Sequence, residues 1–205
     1  MMIVVDERNR AAQAQAVRSM FEARKRVFVD LLRWDLPVLA GRYEVDQFDD
    51  GSATYLILVD GARRHLASTR LLPTTRPHIL SSLFPDLCEG APPAGPNVLE
   101  ITRFCLSRDL RAPERRAARD RLVTAIARYA LDAGVRTYTG VAELPWLQQI
   151  LAFGWDCMPL GLPRAHGRQT LGALRIDIDA DTLGKLAAAG VYAEVEPPQP
   201  AAIAA

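Results

Sequence analysis

Two charged residues interrupt a stretch that otherwise has the composition of a buried β-strand. The stretch VLEITRFCLSRDL, residues 98–110, carries Glu100 and Arg103 among apolar side chains. Charged residues at such positions are candidates for a functional site. Thr102 lies on the same strand face as Glu100, whereas Arg103 lies on the opposite face unless a β-bulge brings the two charges together. An ion pair that clamps the strand explains Glu100 and Arg103 equally well at this point.

Further charged residues stand earlier in the chain. Arg24 interrupts an apolar helical stripe four residues before Phe28, Asp46 and Asp49 lie in a polar stretch, and Arg70 follows a strand. Taken one at a time, they are explained by an arginine that reaches past the stripe to solvent, a solvated loop and a strand edge. None of them alone indicates a function.

Composition and missing motifs exclude several classes of protein. The 205 residues carry a formal net charge of +1, so no bulk attraction to nucleic acid or to an anionic membrane is expected. Three cysteines without a pairing or ligand pattern indicate reduced thiols, and no signal peptide is evident, so a cytoplasmic protein is predicted. Glycine-rich phosphate motifs, a G-x-S-x-G nucleophile motif and an H-E-x-x-H motif are lacking, which argues against nucleotide hydrolysis, serine hydrolysis and a metal site.

Apolar periodicity predicts an α/β fold in which helices and strands alternate. The β-α-β unit within 98–141 requires a parallel pair of strands, whereas the hairpin within 54–72 is antiparallel, so a mixed central sheet covered by helices is predicted. One domain is predicted over residues 1–195, followed by a disordered, low-complexity tail at 196–205. The predicted strands are 2–5, 54–59, 65–72, 98 onwards, 135–142 and 171–179, and the predicted helices are 11–32, a short one within 73–87, 113–133 and 144–153.

Four spaced motifs occur in a characteristic order. They are R-x3-F-x5-W at 24–34, D-x2-D at 46–49, R-L-L-P-T at 70–74 and E-x-T-R-F at 100–104. In this order the sequence resembles the acyl-homoserine lactone synthases of the LuxI type, the autoinducer synthases that make quorum-sensing signals in bacteria. The resemblance covers residues 1 to about 165 and includes RPHILSSLFPDL, which contains Phe84.

The resemblance implies a fold and a reaction. The fold is an α/β/α sandwich similar to that of the GCN5-related N-acetyltransferases. The enzyme is an acyltransferase that joins S-adenosylmethionine, used as an amine acceptor, to an acyl thioester, closes the lactone and releases 5′-methylthioadenosine. S-adenosylmethionine is a substrate, so no cofactor and no metal are expected. The acceptor amine has an ordinary pKa of about 7.7 to 8.0 and must lose a proton before it attacks the thioester.

The same resemblance gives the charged residues roles. Glu100, Thr102 and Arg103 are the expected catalytic residues, with Glu100 as the general base, because loss of hydration raises the proton affinity of a carboxylate. A sulfonium substrate with an ammonium and a carboxylate needs a pocket with charges of both signs and an aromatic surface. Aspartates that hold the arginines in a network would shape such a pocket. The expected S-adenosylmethionine site comprises Arg24, Phe28, Trp34, Asp46, Asp49 and Arg70.

The acyl donor implied by the resemblance is acyl-acyl carrier protein or acyl-coenzyme A. The arginine-rich stretch 108–121 is a candidate docking surface for an acidic carrier, through Arg111, Arg115 and Arg119. A solvated helix face with internal pairing explains this stretch equally well, and Lys25, Arg26 and Arg33 form a rival basic patch. The expected acyl pocket draws on Phe84, Leu122, Ile126, Trp146 and Ile150, although ordinary core positions are the alternative for each.

Two other functions fit the same fold. An acetyltransferase that uses acetyl-coenzyme A would have glycines in the loop after the central strand, where backbone N–H groups meet the pyrophosphate, and RDLRAPERRA has none. A regulator that binds such metabolites without catalysis is the second alternative. No helix with the basic spacing of a DNA-reading element supports it.

Overall fold

A mixed β-sheet organises the protein, as described by a computed structural model for residues 1–195; the tail predicted at 196–205 lies outside the described residues. The strands are β1 (Met2–Val5), β2 (Val38–Leu39), β3 (Tyr43–Glu44), β4 (Thr54–Val59), β5 (His65–Pro73), β6 (Val98–Leu106), β7 (Thr137–Glu143), β8 (Asp156–Pro159), β9 (Arg164–His166) and β10 (Gln169–Asp177). The helices are α1 (Ala14–Arg24), α2 (Ile79–Leu83), α3 (Ala112–Ala133), α4 (Leu144–Leu151) and α5 (Thr182–Ala188), with a π-helical turn at Lys25–Val29 and a 3-10 turn at Pro85–Leu87.

The strand order confirms the predicted mixed sheet. Within the described residues the order is β1-β4-β5-β6-β7-β10-β8, with β9 paired to β10 and a separate two-stranded sheet of β2 and β3. β6 and β7 are parallel and are connected through α3, which confirms the predicted β-α-β unit. Their pairing covers only Val98–Ile101 against Thr137–Gly140, so the rest of β6 is not paired with β7 in register. None of the described helices has the length and hydropathy that a bilayer crossing requires.

The chain groups into two compact units, and the first comprises Met1–Arg70 and Arg103–Ala125 with Glu194 and Val195. In this unit β1 pairs antiparallel with β4, whose buried residues run without alternation from Tyr55 to Val59. A strand that is apolar on both faces is covered on both faces. β4 therefore lies in the core of this unit.

The predicted helix at 11–32 is present over Ala14–Val29, but its last five residues are not α-helical. α1 ends at Arg24 and continues as a π-helical turn in which the N–H of Asp30 donates to the carbonyl of Lys25 at 3.0 Å. A π-helical turn inserts one extra residue into the helical register and is often found at functional sites. The apolar stripe of the sequence does not reveal this insertion, because it changes the register by a single residue.

The second unit comprises Leu71–Thr102 and Ile126–Ala193. Here the whole of β7 pairs antiparallel with Leu171–Asp177 of β10, and Leu80 and Leu87 pack with Leu171 and Ala173 in a buried cluster. The short elements β8, β9 and α5 in this unit were not predicted, because strands of three or four residues and a helix of two turns leave little periodicity to detect.

His65, at the start of β5, makes the first unit sensitive to acid. Its imidazole is buried, with Nε2 2.8 Å from the Ser68 hydroxyl and no hydrogen-bond partner for Nδ1 among residues 1–195. Burial lowers the pKa of His65 from 6.5 to about 4. As pH falls from 6.5 towards 4, the unfolded chain therefore binds a proton that the folded chain does not, and the folded state loses stability.

We expect this histidine to remove about 3 kcal/mol of unfolding free energy between pH 7 and pH 4, since one pKa unit corresponds to about 1.4 kcal/mol. Urea unfolding of the wild type and of His65→Gln across that range measures the effect. The variant cannot take up the proton, so its stability should fall less steeply. Equal slopes for the two proteins would show that His65 is not the responsible group.

Candidate active site

β6 is irregular at the point where its charged residues lie. Glu100 and Thr102 are buried at alternate positions, but Arg103 has a left-handed backbone with φ of 51°, and the next buried residue is Cys105. A residue in this region within a strand is typical of a β-bulge and is strained for any side chain other than glycine. The guanidinium of Arg103 and the carboxylate of Glu100 have different hydrogen-bond partners.

Arg24 stands at the centre of a buried group of ion pairs in the first unit. Its two terminal nitrogens donate to both oxygens of Asp49 at 2.8 and 2.9 Å, and its Nε donates to Glu44 at 2.5 Å. Arg70 donates to Asp46 at 2.6 and 3.1 Å and lies 2.8 Å from Asp49. The predicted network of two arginines held by two aspartates is thus present in the structure, with Glu44 in addition.

Arg103 completes the group. It donates to Glu44 at 3.1 to 3.3 Å and to Asp46 at 2.7 Å, and its guanidinium lies 5.7 Å from the centre of the Phe28 ring. These bonds hold the strained backbone of Arg103 in place. We call the residues of this group the ion network: Arg24, Glu44, Asp46, Asp49, Arg70 and Arg103.

The ion network is almost closed to solvent. The side chains of Arg24 and Arg70 are 1% and 0% exposed, whereas those of Arg103 and Asp46 are 9% and 6% exposed. Burying charges is tolerated only where opposite charges and hydrogen bonds replace the lost water, and here three guanidinium groups match three carboxylates. Arg103 and Asp46 are therefore the members closest to solvent, and Arg24 and Arg70 support them.

The titration behaviour of the network follows from this pairing. Burial lowers the pKa of Arg24, but its hydrogen bonds and proximity to Asp49 and Glu44 outweigh burial and hold that pKa above its ordinary value. Burial likewise raises the pKa of Asp49, yet the hydrogen bond and charge of Arg24 and the charge of Arg70 bring it below the usual range. Both groups are therefore charged at neutral pH.

Two members of this site were missed by the sequence analysis. Glu44 is fully buried and links Arg24 to Arg103, and the Tyr55 hydroxyl donates to Asp49 at 2.9 Å. Burial and the adjacent Asp49 raise the pKa of Tyr55, so its phenol stays protonated and acts as a donor. A signal for Glu44 was available, since it precedes Asp46 by two residues and so shares its face in extended chain.

The three acids of the network also satisfy the spacing of a metal site. One oxygen from each of Glu44, Asp46 and Asp49 lies within 4.8 Å of the others. A cation there would compete with three guanidinium groups for the same oxygens. The donor set therefore suits internal ion pairs better than a metal centre, and the lack of a metal remains a prediction.

Aromatic residues line the π-helical side of the network. Phe28 and Trp34 stack with their ring centres 5.0 Å apart and their planes at 21°. Both pack with Ala23, Val27 and Cys105 in one cluster, in which Phe28 is buried and Trp34 half-buried. Trp34 thus offers the more accessible ring of the pair.

Glu100 lies in the second unit and is fully buried. Its carboxylate accepts the backbone N–H groups of Ile79 and Leu80, each at 2.8 Å, which are the first two N–H groups of α2. Burial alone would favour the protonated acid, but two donors favour the charged carboxylate. Glu100 is thereby fixed in orientation.

The residues expected to form an acyl pocket differ in burial. Leu122 and Ile126 are 0% and 1% exposed on α3, which fits ordinary core positions. Phe84, Trp146 and Ile150 are half-buried, so their side chains retain accessible surface. Phe84 meets the His166 ring edge-on at 5.3 Å and packs on the cluster of Leu80 and Leu87.

The three expected docking arginines differ in exposure. Arg119 pairs with Asp120 at 2.6 Å and is 19% exposed, and half-buried Arg115 donates to the carbonyl of Ser107 at 3.2 Å. Arg111 is exposed, as are the neighbouring Arg108 and Arg116. In the rival patch, Lys25 pairs with Asp30 and Arg26 with Asp109, while Arg33 is exposed.

Comparisons with solved structures place this geometry in a class. BjaI, described as a CoA-dependent acyl-homoserine lactone synthase with SAM and isopentyl-CoA, is 30% identical, with a TM-score of 0.84 over 96% of this chain and 94% of its own. An acyl-CoA N-acyltransferase from Pseudomonas aeruginosa, 15% identical, matches with a TM-score of 0.60 over 85% of this chain and 98% of its own, which shows the fold alone. The protein is an acyltransferase with a fold like that of the N-acetyltransferases.

Sequence comparisons then give the family. The family model described as autoinducer synthase matches residues 7–186, so the chain belongs to the autoinducer synthases, which are acyl-homoserine lactone synthases. The isovaleryl-homoserine lactone synthase of Bradyrhizobium diazoefficiens is 31% identical over 180 residues, 87% of this chain and 80% of that protein. The acyl-homoserine-lactone synthase of Ralstonia nicotianae is 33% identical over 174 residues, 82% of this chain and 84% of that protein.

Proposed function

We propose that this synthase joins S-adenosylmethionine to an acyl group carried by coenzyme A and releases 5′-methylthioadenosine. The observation that carries this proposal is the likeness, along nearly the whole chain, to BjaI with SAM and isopentyl-CoA. MesI, also described as CoA-dependent, has a TM-score of 0.82 with 26% identity, covering 95% of this chain and 97% of its own. These two likenesses favour coenzyme A over a carrier protein as the donor.

The first chemical step forms the amide. The acceptor amine loses a proton to Glu100, directly or through a water, and its nitrogen attacks the thioester carbonyl. The carbon–sulfur bond of the thioester breaks, the nitrogen gives up its second proton, and coenzyme A takes up a proton and leaves as its thiol. In the second step the methionyl carboxylate attacks its own γ-carbon, the carbon–sulfur bond of the sulfonium breaks, and the lactone and 5′-methylthioadenosine separate.

The ion network supplies charges that suit the acceptor. Arg103 can take a carboxylate, Asp46 can face an ammonium, and both lie at the solvent side of the network. The Phe28–Trp34 stack offers an aromatic face for the adenine or the sulfonium. Arg24, Asp49 and Arg70 hold Arg103 and Asp46 in position from the buried side of the network. Thr102, on β6 beside Glu100, is the remaining residue that we propose to be catalytic.

The proposal is tested by product analysis. Purified protein with S-adenosylmethionine and a panel of acyl-coenzyme A thioesters is expected to release thiol, 5′-methylthioadenosine and an acyl-homoserine lactone in equal amounts, measured by mass spectrometry and a thiol reagent. Release of thiol together with an N-acylated product that keeps its sulfonium would instead indicate an N-acyltransferase without lactone formation. Ligand binding with no turnover of any donor would indicate a regulator.

A parallel arm uses acyl-acyl carrier protein. If the carrier is the true donor, its KM should be the lower of the two and should rise with salt, because an acidic carrier would meet the exposed arginines 108, 111 and 116 through screened charges. Preference for the carrier would overturn the choice of coenzyme A while leaving the lactone synthesis intact.

A further inference from the structure

We infer that His78 is a positioning residue for Glu100: it anchors the backbone whose N–H groups orient the Glu100 carboxylate for proton transfer. The inference rests on the proposed role of Glu100 as the base. His78 lies in the segment RPHILSSLFPDL but outside the four motifs at 24–34, 46–49, 70–74 and 100–104. It lies in the second unit, as does Glu100, so the contacts that link the two residues lie within that unit.

The link between His78 and Glu100 runs through the first turn of α2. Ile79 donates its N–H to one carboxylate oxygen of Glu100 and Leu80 donates to the other, both at 2.8 Å. The amide nitrogen of Ile79 is only about 2.4 Å from the Cα of His78 across one peptide bond. A shift of the His78 backbone therefore moves a donor that contacts Glu100 directly.

His78 is itself tied in place from several directions. Its Nδ1 lies 2.9 Å from the carbonyl of Arg76 and 3.1 Å from the Ser81 hydroxyl, and its own N–H donates to that hydroxyl at 3.3 Å. A carbonyl can only accept, so Nδ1 carries the proton in this contact. The side chain is 2% exposed on an extended backbone, which is the conformation of a helix N-cap.

Anchoring matters more for α2 than it would for a longer helix. With five residues, α2 makes too few internal hydrogen bonds to hold its own first turn, and the Glu100 carboxylate takes the place of a cap. Loss of the His78 contacts would let this turn fray and leave Glu100 with fewer donors. A carboxylate with fewer donors is less precisely placed and holds its proton more tightly.

The sign of the effect on the pH profile follows from this environment. The register partner of Glu100 on β7 is Thr139, an uncharged residue whose hydroxyl donates to the carbonyl of Leu174. On the side of α2, Glu100 contacts the backbone N–H groups of Ile79 and Leu80. Weaker N–H donation to Glu100 should move the acid limb of kcat/KM to higher pH, since a carboxylate with fewer donors keeps its proton up to a higher pH.

The test compares three substitutions in one helix with the wild type. His78→Ala is expected to lower kcat about tenfold, to change KM for S-adenosylmethionine little, and to shift the acid limb upwards. Ser81→Ala should shift the limb in the same direction by less. His78→Asn, which places a preferred N-cap side chain at this position instead of the imidazole, should return kcat and the acid limb close to those of the wild type.

Ser82→Ala is the matched control, because Ser82 is an exposed neighbour in α2, and it should leave kinetics unchanged. If His78→Ala does not fold, Ser81→Ala and His78→Asn still test whether His78 positions Glu100. A wild-type acid limb in Ser81→Ala together with a displaced limb in His78→Asn would overturn the inference. Glu100→Gln distinguishes a failure of the proposed base from a failure of the role of His78. Normal turnover in Glu100→Gln would show that the proposed base is wrong. An inactive Glu100→Gln beside a fully active His78→Ala would refute only the role of His78.

Discussion

Replacement of Glu100 by glutamine is expected to lower kcat by about 100-fold or more while the protein remains folded. Glutamine keeps the size of the side chain but cannot accept the amine proton. It also presents an NH2 group to one of the two backbone donors from Ile79 and Leu80, so one buried hydrogen bond is lost. A stability loss of about 1–3 kcal/mol should accompany the kinetic effect.

Single-turnover kinetics at a temperature well below the melting point of the variant separate these two losses. Amide formation should be slow in Glu100→Gln even when both substrates saturate, and raising the pH should restore part of the rate by deprotonating the amine in solution. Turnover close to wild type at neutral pH would show that another group, or solvent, removes the proton.

The substitution Arg24→Ala is expected to destabilise the first unit by about 3–5 kcal/mol, because it leaves buried carboxylates without their partner. Arg24 makes three hydrogen bonds to Glu44 and Asp49, all of which are nearly inaccessible to water. The melting temperature should fall, and synthesis should be lost together with the fold of the network.

Arg26→Ala is the matched control for this loss. Arg26 is two residues along the same chain segment and also makes a bidentate pair, with Asp109 at 2.6 and 2.8 Å, but both side chains are about half exposed or more. Exposed pairs contribute less than about 1 kcal/mol, so the control should melt close to the wild type. Similar melting temperatures for the two variants would show that the buried pairs contribute little.

The sequence was sufficient for the parts of the fold that repeat a local pattern. The hairpin of β4 and β5 and the β6-α3-β7 unit follow from alternation and from a long apolar helix, and both are present. The pairing of Arg24 with Asp49 could be anticipated because charges in an apolar setting require opposite charges. These predictions depend on strong local signals or on charge balance.

Other features depend on contacts that no local pattern contains. Glu44 lies on a two-residue strand in a polar stretch, and its burial depends on guanidinium groups from Arg24, 20 residues earlier, and Arg103, 59 residues later. Arg119 has the spacing of a docking residue, but its neighbour Asp120 engages it. In the same way, the hydrogen bonds from α2 to Glu100 exist only once the second unit is assembled.

The charge balance of the ion network has a consequence for how a ligand is captured. Equal numbers of positive and negative charges within a few ångströms produce a field that weakens with distance much faster than that of a net charge. A charged metabolite diffusing past the protein is therefore neither drawn in nor turned away by these residues. They act on it only at contact range, and so they govern how long a molecule stays bound rather than how often one arrives.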